Sequence, residues 1–446
     1  MKPGWEESLH FSPERQGVCD GMQAVILAGG IGRRVFPLCR GRPKAMYRLL
    51  GKPLLHYVIS SMKGVDEAVV VIGKNGERIR EYFGNGEKYN VHLEYVQQKE
   101  PLGMANALLC AEKLLKEEFL LVNADDVVEQ DAFANIIEHH KKSDADLILC
   151  YKEVEETEKF GILDLEDGRV KRIVEKPEKG KEPSNKAVIS PYLLPRSILE
   201  YIRKVPLSDA QFEDSIQKFI EENLVEAVEY RGFFASFKYP WDLLTINKYL
   251  MKKHVKGQTI KSSSVSERAI ITGNVVIEEG VKVLETAKLS GPCYIGRNSL
   301  IGDDALIRDF SSIDEHCEIG KNCEVKNSII GRNCRIHGSY IGDSIIEENC
   351  DFGFGSVTAN FRFDEAAIRV KIGNKKIDSG LRKLGVIMGS HSKVGINANI
   401  MPGVKVGPRA VVGPGVTLYE DLGEGERIYV DKKSFVRKTG PPDEPF

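Results

Sequence analysis

A six-residue period in the second half of the chain restricts its fold more than any other feature. An aliphatic residue recurs at every sixth position from Ile277 to Val325. Glycine is common one position later, and Ser, Cys or Ala is common four positions later. Each six-residue unit supplies one short flat face and three faces make one coil, which predicts a parallel β-helix with the aliphatic side chains inside. After Val325 the period shortens and then returns at Ile330, Ile336, Ile341, Ile346, Phe352, Met388, Val394, Ile400, Val406 and Val412.

The pattern divides the chain into three parts. Residues 1–21 are polar and aperiodic, and we expect a flexible extension. Residues 22–255 are predicted to form an α/β domain, and residues 256–446 the β-helix. The stretch 360–385 lacks the period and is rich in Lys, Arg and Asp, so it is expected to loop out of the coil stack, where long excursions usually lie on the binding face.

The first half alternates short apolar runs with amphipathic stretches. QAVILAG, EAVVVIG, FLLVNAD and ADLILCY are nearly continuous apolar runs, as strands buried on both faces should be. PLLHYVISSMKG, GMANALLCAEKLLKEE and DAFANIIEHHKKS have helical spacing. This alternation predicts a Rossmann-like α/β sheet with helices on both sides.

Composition and charge exclude several classes of partner. The 63 basic and 65 acidic residues nearly cancel, leaving a net charge of −2, and no basic stripe with interleaved aromatic residues suggests nucleic-acid binding. No apolar run approaches the roughly 20 residues that cross a bilayer, and the N-terminus lacks the apolar core of a signal peptide. The nine cysteines form no CxxC pair, which favours reduced thiols and a cytoplasmic location. Five of them are expected to pack inside the repeats: Cys293, Cys317, Cys323, Cys334 and Cys350.

The end of the first strand is a glycine-rich turn with two cations downstream. The turn runs from Ala28 through Gly29, Gly30 and Gly32, and Arg34 and Lys44 follow it. Such a turn lets backbone N–H groups close on phosphates. A tight strand-to-helix turn alone would also use these glycines, but the two cations favour a triphosphate site where charge on departing pyrophosphate is stabilised.

The turn, followed by Pro43-Lys44, resembles the signature of the sugar-1-phosphate nucleotidylyltransferases, and the resemblance extends over 22–250. In that family, Gln98 and Gly103 would recognise the nucleobase and Asp125 would hold Mg²⁺. The resemblance further implies that Arg34 contacts the leaving pyrophosphate and Lys44 the α-phosphate. Glu175 and Lys176 would contact the sugar phosphate. The substrates would be an NTP and a sugar-1-phosphate. In isolation, Asp125 would be taken as a turn residue and Lys176 as a surface lysine.

Two positions depart from the family pattern and leave a second function class open. Ser236 stands where a second metal-binding aspartate is expected, and a hydroxyl is a far weaker magnesium ligand than a carboxylate. Gln211 stands where a sugar-binding glutamate is expected. The alternative to an NDP-sugar synthase is therefore a catalytically weakened regulatory or scaffold protein that binds a nucleotide or NDP-sugar.

The repeat region resembles the acetyltransferase half of archaeal bifunctional amino-sugar uridylyltransferases, with a left-handed β-helix. The resemblance rests on His337-Gly338-Ser339-Tyr340 and on Thr358-Ala359-Asn360. It implies that His337 is a general base for acetyl transfer from acetyl-CoA, and that these helices form homotrimers. Tyr340 and Asn360 would contact the sugar phosphate and the sugar or acyl group, with Arg308 and Lys326 holding phosphate. An exposed polar corner is the other interpretation of His337, and Phe354 is expected to narrow the acyl channel.

Overall fold

The computed structural model describes residues 21–30 and 32–431. All but the last position of the predicted extension 1–21 lies outside these residues. Contacts divide the chain into two compact units: one contains Gly41–Ile246 and the first strand, and the other contains Phe36–Arg40 and the chain from Asn247 onward. No helix in the described residues is both long and apolar enough to span a membrane.

The first unit alternates strands and helices, as its pattern predicts. Its strands are β1 (Met22–Ala28), β2 (Arg48–Leu49), β3 (Lys52–Pro53), β4 (Val65–Ile72), β5 (His92–Gln97), β6 (Glu118–Asn123), β7 (Asp126–Val128), β8 (Leu147–Glu153), β9 (Gly161–Glu166), β10 (Arg169–Glu175), β11 (Lys186–Pro195), β12 (Val225–Glu229) and β13 (Phe234–Ser236). The α-helices are α1 (Leu54–Ser61), α2 (Glu77–Phe83), α3 (Gly103–Ala111), α4 (Gln130–His140), α5 (Ile198–Lys204), α6 (Gln211–Glu222) and α7 (Asp242–His254). Short 3-10 turns occupy Arg33–Val35, Lys44–Met46, Glu87–Tyr89, Glu112–Leu114 and Thr157–Lys159.

The main sheet of this unit places the ends of its central strands around one edge. The strand order is β5-β4-β1-β6-β11-β8-β12-β10-β9. β1 is parallel to β4 and β6, whereas β11 is antiparallel to β6 and β8. The carboxyl ends of β1 and β6 therefore meet, and ligands of open α/β sheets bind at such ends. β7 follows β6 directly in the chain and pairs with β13, which places Asp126 opposite Ser236.

The second unit is built from three parallel sheets. The first comprises Gln258–Ile260, Val275–Ile277, Cys293–Ile295, Ser311–Ile313, Ile329–Ile330, Ile345–Ile346, Ile387–Met388 and Lys405–Val406. The second comprises Ser264–Val265, Lys282–Val283, Leu300–Ile301, Glu318–Ile319, Arg335–Ile336, Asp351–Phe352, Lys393–Val394, Val411–Val412 and Arg427–Ile428. The third comprises Ile270–Thr272, Lys288–Ser290, Leu306–Arg308, Glu324–Lys326, Tyr340–Gly342, Val357–Thr358, Asn399–Ile400 and Thr417–Leu418. This is the predicted β-helix, in which each strand pairs with its neighbour one coil away.

The interior of the β-helix is filled by the periodic residues. Every aliphatic or aromatic position of the six-residue series, from Ile277 to Val412, belongs to one buried core. The five repeat-region cysteines are buried with free thiols. Asn298 and Asn333 occupy left-handed corners with φ of 55° and 54°, a conformation that Asn tolerates better than most residues. The stretch 360–385 carries an antiparallel hairpin, Arg369–Ile372 paired with Lys375–Asp378.

Candidate active site

One cavity of about 430 Å³ in the first unit collects most of the predicted nucleotide and sugar residues. Its lining includes Gly29, Gly30, Arg34, Lys44, Gln98, Gly103, Asp125, Glu175 and Lys176. Ala28 and Gly32 are not among the lining residues; Ala28 ends β1, and Gly32 turns the chain with φ of 65°. Residues from at least five separate segments thus converge beyond the ends of β1 and β6.

The glycine turn is packed against Gln98, which explains why one of its positions must be glycine. A Cβ at Gly29 would lie 2.7 Å from the Gln98 Oε1 atom. Gln98 is buried, and its amide donates hydrogen bonds to the Gly103 carbonyl oxygen (3.1 Å) and to Asn106 Oδ1 (2.9 Å). The amide is therefore held between the turn and the start of α3, at the end of the cavity assigned to the nucleobase by resemblance.

The cation after the turn is tied to the end of β6. Lys44 Nζ forms an ion pair with Asp125 and donates a hydrogen bond to the Phe237 carbonyl oxygen at 2.7 Å. Both charged side chains remain partly exposed to the cavity, 16% for Lys44 and 21% for Asp125. Arg34 lies over the Tyr239 ring, with its guanidinium carbon 6.0 Å from the ring centroid. This arrangement fixes two cations on one wall of the cavity.

The carboxylate missing at Ser236 is present on the neighbouring strand. Ser236 is the cross-strand partner of Asp126. Asn123 Nδ2 donates a hydrogen bond to the Asp126 carboxylate at 3.0 Å. Burial, followed by the charge of Asp125, raises the pKa of Asp126 to about 6. Sequence reasoning noted the loss at Ser236 but missed the adjacent Asp126.

The sugar end of the cavity contains a glutamate that the sequence analysis did not select. Gln211 does not line the cavity; it is buried, and its amide donates to the carbonyl oxygens of Ile202 (3.2 Å) and Val205 (3.0 Å) at the end of α5. Glu213 lines the cavity instead, together with Glu175 and Lys176. Since Glu213 precedes the buried Ile216 by three positions on α6, helical spacing places both on one face, and this signal was available in the sequence.

Burial and neighbouring negative charges shift the pKa values of side chains at the sugar end of the cavity. Burial, then the charge of Glu175, raises the pKa of Glu213 to about 7. Tyr192 is buried beside the same carboxylates, and burial raises the pKa of its phenol well above the ordinary value. Lys176 has a φ of 46° and pairs with Glu175. A left-handed lysine is rare, and such conformations cluster at ligand-binding sites.

Lys238 is another lining residue that sequence reasoning missed. Its ammonium donates a hydrogen bond to the Lys159 carbonyl oxygen (3.1 Å) and lies 3.8 Å from the centroid of the Phe160 ring. The Asp242 carboxylate accepts hydrogen bonds from the backbone N–H groups of Lys238 (2.8 Å) and Tyr239 (2.6 Å). Asp242 therefore fixes the start of α7.

The residues present fit a magnesium ion that is shared with a substrate. Mg²⁺ usually takes one or two carboxylates and completes its shell with substrate phosphates and water. Asp125 and Asp126 both line the cavity and supply that number. Within the described residues, no group of three or more His, Cys, Asp or Glu side chains could hold a metal by itself. The donor set thus suits a metal that arrives with phosphate.

On the β-helix, three polar side chains in or next to the third sheet converge on Asp343. This carboxylate is 3% exposed and accepts hydrogen bonds from Asn327 Nδ2 (2.6 Å) and Asn360 Nδ2 (2.5 Å), while Lys326 Nζ is 3.1 Å away. Asn360 also donates to the Tyr340 hydroxyl at 3.2 Å. Three of the predicted acetyl-site residues are thereby brought together around a carboxylate that was not predicted.

Arg308 and His337 lie outside this cluster. Arg308 is in register with Lys326 one coil away, and its guanidinium is held by Glu324 at 2.6 and 2.9 Å. His337 is exposed and lines a separate open depression of about 300 Å³, which contains Lys393 and Tyr429 but neither Tyr340 nor Asn360. Phe354 is 59% exposed, and a Cβ at Gly338 would lie 2.2 Å from its ring, so the ring covers that glycine.

Comparison with known proteins defines the class. Residues 23–252 match the nucleotidyl transferase family, residues 289–371 match the GMPPB C-terminal domain, and residues 385–419 match the bacterial transferase hexapeptide family. The chain belongs to the nucleotidyl transferase family and is an enzyme of that class. The predicted fold class, a Rossmann-like nucleotidyltransferase domain followed by a left-handed hexapeptide β-helix, is confirmed.

Several archaeal relatives match along nearly the whole chain. Bifunctional protein GlmU of Methanococcus maripaludis (strain C7) is 34% identical over 94% of this chain and 99% of its own. The protein of the same name in Methanocaldococcus jannaschii is 36% identical over 94% of this chain and 100% of its own. The bifunctional sugar-1-phosphate nucleotidylyltransferase/acetyltransferase of Sulfurisphaera tokodaii is 33% identical over 91% of this chain and 99% of its own. The predicted resemblance to archaeal bifunctional enzymes is therefore confirmed.

Proposed function

We propose that the first unit transfers a nucleotidyl group from an NTP to a sugar-1-phosphate and releases pyrophosphate. The observation that carries the proposal is the convergence of Lys44, Asp125 and the glycine turn on one cavity that also contains Lys176. Arg34 and Lys44, together with the backbone amides of the glycine turn, suit a triphosphate. Lys176, at the opposite end of the cavity near Tyr192, suits the phosphate of a sugar. The names of the archaeal relatives support the same reaction.

In this reaction, an oxygen of the sugar phosphate attacks the α-phosphorus of the NTP, and the bond from that phosphorus to the bridging oxygen breaks as pyrophosphate leaves. Such chemistry depends mainly on positioning and on stabilisation of charge. Gln98 and Gly103 would orient the base, Arg34 would hold the leaving group, and Lys44 would neutralise the α-phosphate. Asp125, with Asp126 beside it, would hold Mg²⁺, which supplies charge neutralisation when bound.

A pyrophosphate-release assay tests the proposal. The full chain is incubated with Mg²⁺ and each combination of four ribonucleoside triphosphates or dTTP with glucose-1-phosphate, glucosamine-1-phosphate or N-acetylglucosamine-1-phosphate. We expect release with at least one combination, and a loss of about 100-fold or more in Lys44→Met, because one charge-stabilising donor is worth that much. If no combination releases pyrophosphate although a nucleotide binds, the proposal fails and the alternative of a binding protein is supported.

We further propose that the β-helix transfers an acetyl group from acetyl-CoA to an amino-sugar phosphate. The amine nitrogen would attack the thioester carbonyl and the carbon–sulfur bond would break. His337 would take the proton from the amine and return it to the departing CoA thiolate. The cluster of Tyr340, Asn360 and Lys326 supports a sugar-phosphate site. Thiol release from acetyl-CoA with glucosamine-1-phosphate tests this; no release by wild type overturns it.

The proposed acetyl site also depends on assembly. The depression that His337 lines contains none of the Asn360 cluster, which is compatible with a site completed by a neighbouring copy in a homotrimer. Light scattering of the full chain should give three times the 49.8 kDa mass of one chain. Acetyl transfer by a protein that light scattering shows to be a monomer would contradict the proposed trimer. The free buried thiols of the repeats support our proposal of a reducing, cytoplasmic compartment.

A further inference from the structure

The cations lining the active-site cavity differ in whether a carboxylate neutralises them. Lys44 pairs with Asp125, Lys159 with Glu156, and Lys176 with Glu175. Two others, Arg34 and Lys238, have no ion pair with any residue in the described ranges 21–30 and 32–431. Arg34 is exposed, whereas Lys238 is partly buried. A partly buried cation without a carboxylate partner attracts an anionic ligand, because burying a lone charge is unfavourable until a counter-charge is supplied.

The ammonium of Lys238 is held in place although no carboxylate pairs with it. The Lys159 carbonyl oxygen accepts one hydrogen bond at 3.1 Å, and the Phe160 ring faces the ammonium at 3.8 Å. Asp242 anchors the backbone on which it stands. One carbonyl satisfies one of the three N–H donors of an ammonium, so two donors remain for the cavity. A fixed cation of this kind costs little reorganisation when it receives a ligand.

Lys238 lines the same cavity as residues from both of its proposed ends. Arg34, on the proposed nucleotide side, and Glu175, on the proposed sugar side, line it too, as do Asp125 and Asp126. The α-phosphorus of the NTP, which an oxygen of the sugar phosphate attacks, must lie between the bound nucleotide and the bound sugar phosphate. Ser236, two positions before Lys238, carries no charge, so a metal is held less firmly on this wall than it would be with a carboxylate at that position. Lys238 brings a cation to the same wall.

We propose that Lys238 is a phosphate-binding residue of the nucleotidyl transfer site and contacts the α-phosphoryl group that is transferred. This inference rests on the proposed function, because it requires an NTP in the cavity. Lys238 donates its free N–H groups to non-bridging oxygens of that phosphoryl group. It thereby supplies positive charge that does not depend on the metal.

Isothermal titration of the full chain with NTPs and Mg²⁺ tests the inference. The probe is whichever of the four ribonucleoside triphosphates or dTTP binds wild type, and the parent nucleoside, which lacks phosphate, is titrated alongside. Lys238→Met should weaken binding of the triphosphate about 10- to 100-fold, since a hydrogen bond to a charged group is lost. Lys238→Arg should recover most of the affinity, and nucleoside affinity should be unchanged in both variants.

A matched control is available elsewhere in the same unit. Lys152 also donates to a backbone carbonyl, that of Gly232 at 2.8 Å, and lies 5.8 Å from the Tyr230 ring, but it does not line the cavity. Lys152→Met should leave triphosphate affinity within about twofold. If Lys238→Met binds the triphosphate as wild type does, or loses nucleoside affinity equally, the inference is overturned. If wild type binds no triphosphate at all, the proposed function itself falls.

Discussion

Replacement of Glu213 by glutamine should stabilise the first unit, and more so at higher pH. The folded-state pKa of Glu213 is raised to about 7, because the carboxylate is mostly buried and faces Glu175. In the unfolded chain the same group has the ordinary value of 4.5. The folded state therefore binds this proton more tightly than the unfolded state does. The stabilisation that the bound proton gives the folded state is fully present below pH 4.5 and is lost as the pH rises through 7.

The size of the rise in the pKa of Glu213 sets the expected change in the free energy of unfolding. A change from 4.5 to about 7 corresponds to at most about 3 kcal/mol of destabilisation above pH 7, and partial exposure to the cavity reduces it to about 1–3 kcal/mol. Glutamine keeps the shape without the charge. We expect Glu213→Gln to match wild type near pH 4.5 and to exceed its free energy of unfolding by about 1–3 kcal/mol at pH 8.

The assay is denaturant unfolding followed by the fluorescence of Trp241, which is buried in this unit. Glu221→Gln is the control, because Glu221 lies on the same helix but is exposed. Its unfolding free energy should differ from that of wild type by less than about 0.5 kcal/mol at both pH values. A difference between Glu213→Gln and wild type that is the same at pH 5 and pH 8 would refute the assignment of the effect to this carboxyl group.

Three further predictions concern the metal side, the acetyl site and the β-helix core. Ser236→Asp places a second carboxylate opposite Asp126, so thermal stability without Mg²⁺ should fall, and the gain in midpoint on adding Mg²⁺ should exceed that of wild type. Asp343→Ala leaves Lys326 without its buried acceptor; acetyl-transfer KM for the sugar phosphate should rise about tenfold, and unfolding free energy should drop by about 1–3 kcal/mol. Phe352→Ala should lower unfolding free energy of the helix by about 3–5 kcal/mol in denaturant titration, and a loss below 1 kcal/mol would contradict its interior position.

The β-helix could be predicted almost completely because its information is local. Each inward residue, such as Ile295 or Val406, is identified by its distance to the next one along the chain, and the coil geometry repeats that choice. The presence of a sheet with buried strands in the first unit could also be predicted, because apolar runs such as β6 indicate buried strands. Its order could not be predicted, because strand pairing joins segments far apart in sequence.

The candidate site was predictable only where a short motif carries it. The glycine turn, Lys44 and Asp125 are recognisable from their immediate neighbours. Glu213 and Lys238 can be recognised as site residues only from segments that are distant in sequence. β10 brings Glu175 near Glu213, and the turn before β9 brings Phe160 near Lys238. Asp126 required the register of β7 against β13, which no local pattern encodes. Gln211, which stands where the resemblance places a sugar-binding glutamate, does not line the cavity, because its side chain bonds to the end of α5.

The hairpin at Arg369–Asp378 leaves the solenoid without interrupting it. Across the excursion, Ile346 still pairs with Met388 and Phe352 with Val394, so the ladder is continuous through a detour of several tens of residues. Since each coil is stabilised by its nearest neighbours, this detour contributes little to the continuity of the stack. Ile368 and Val370 are buried and pack near Gly403, so they are constrained, whereas the hairpin tip around Gly373 is exposed. Mutation can therefore change the tip with little threat to folding, and a new ligand could be acquired there while the scaffold stays the same.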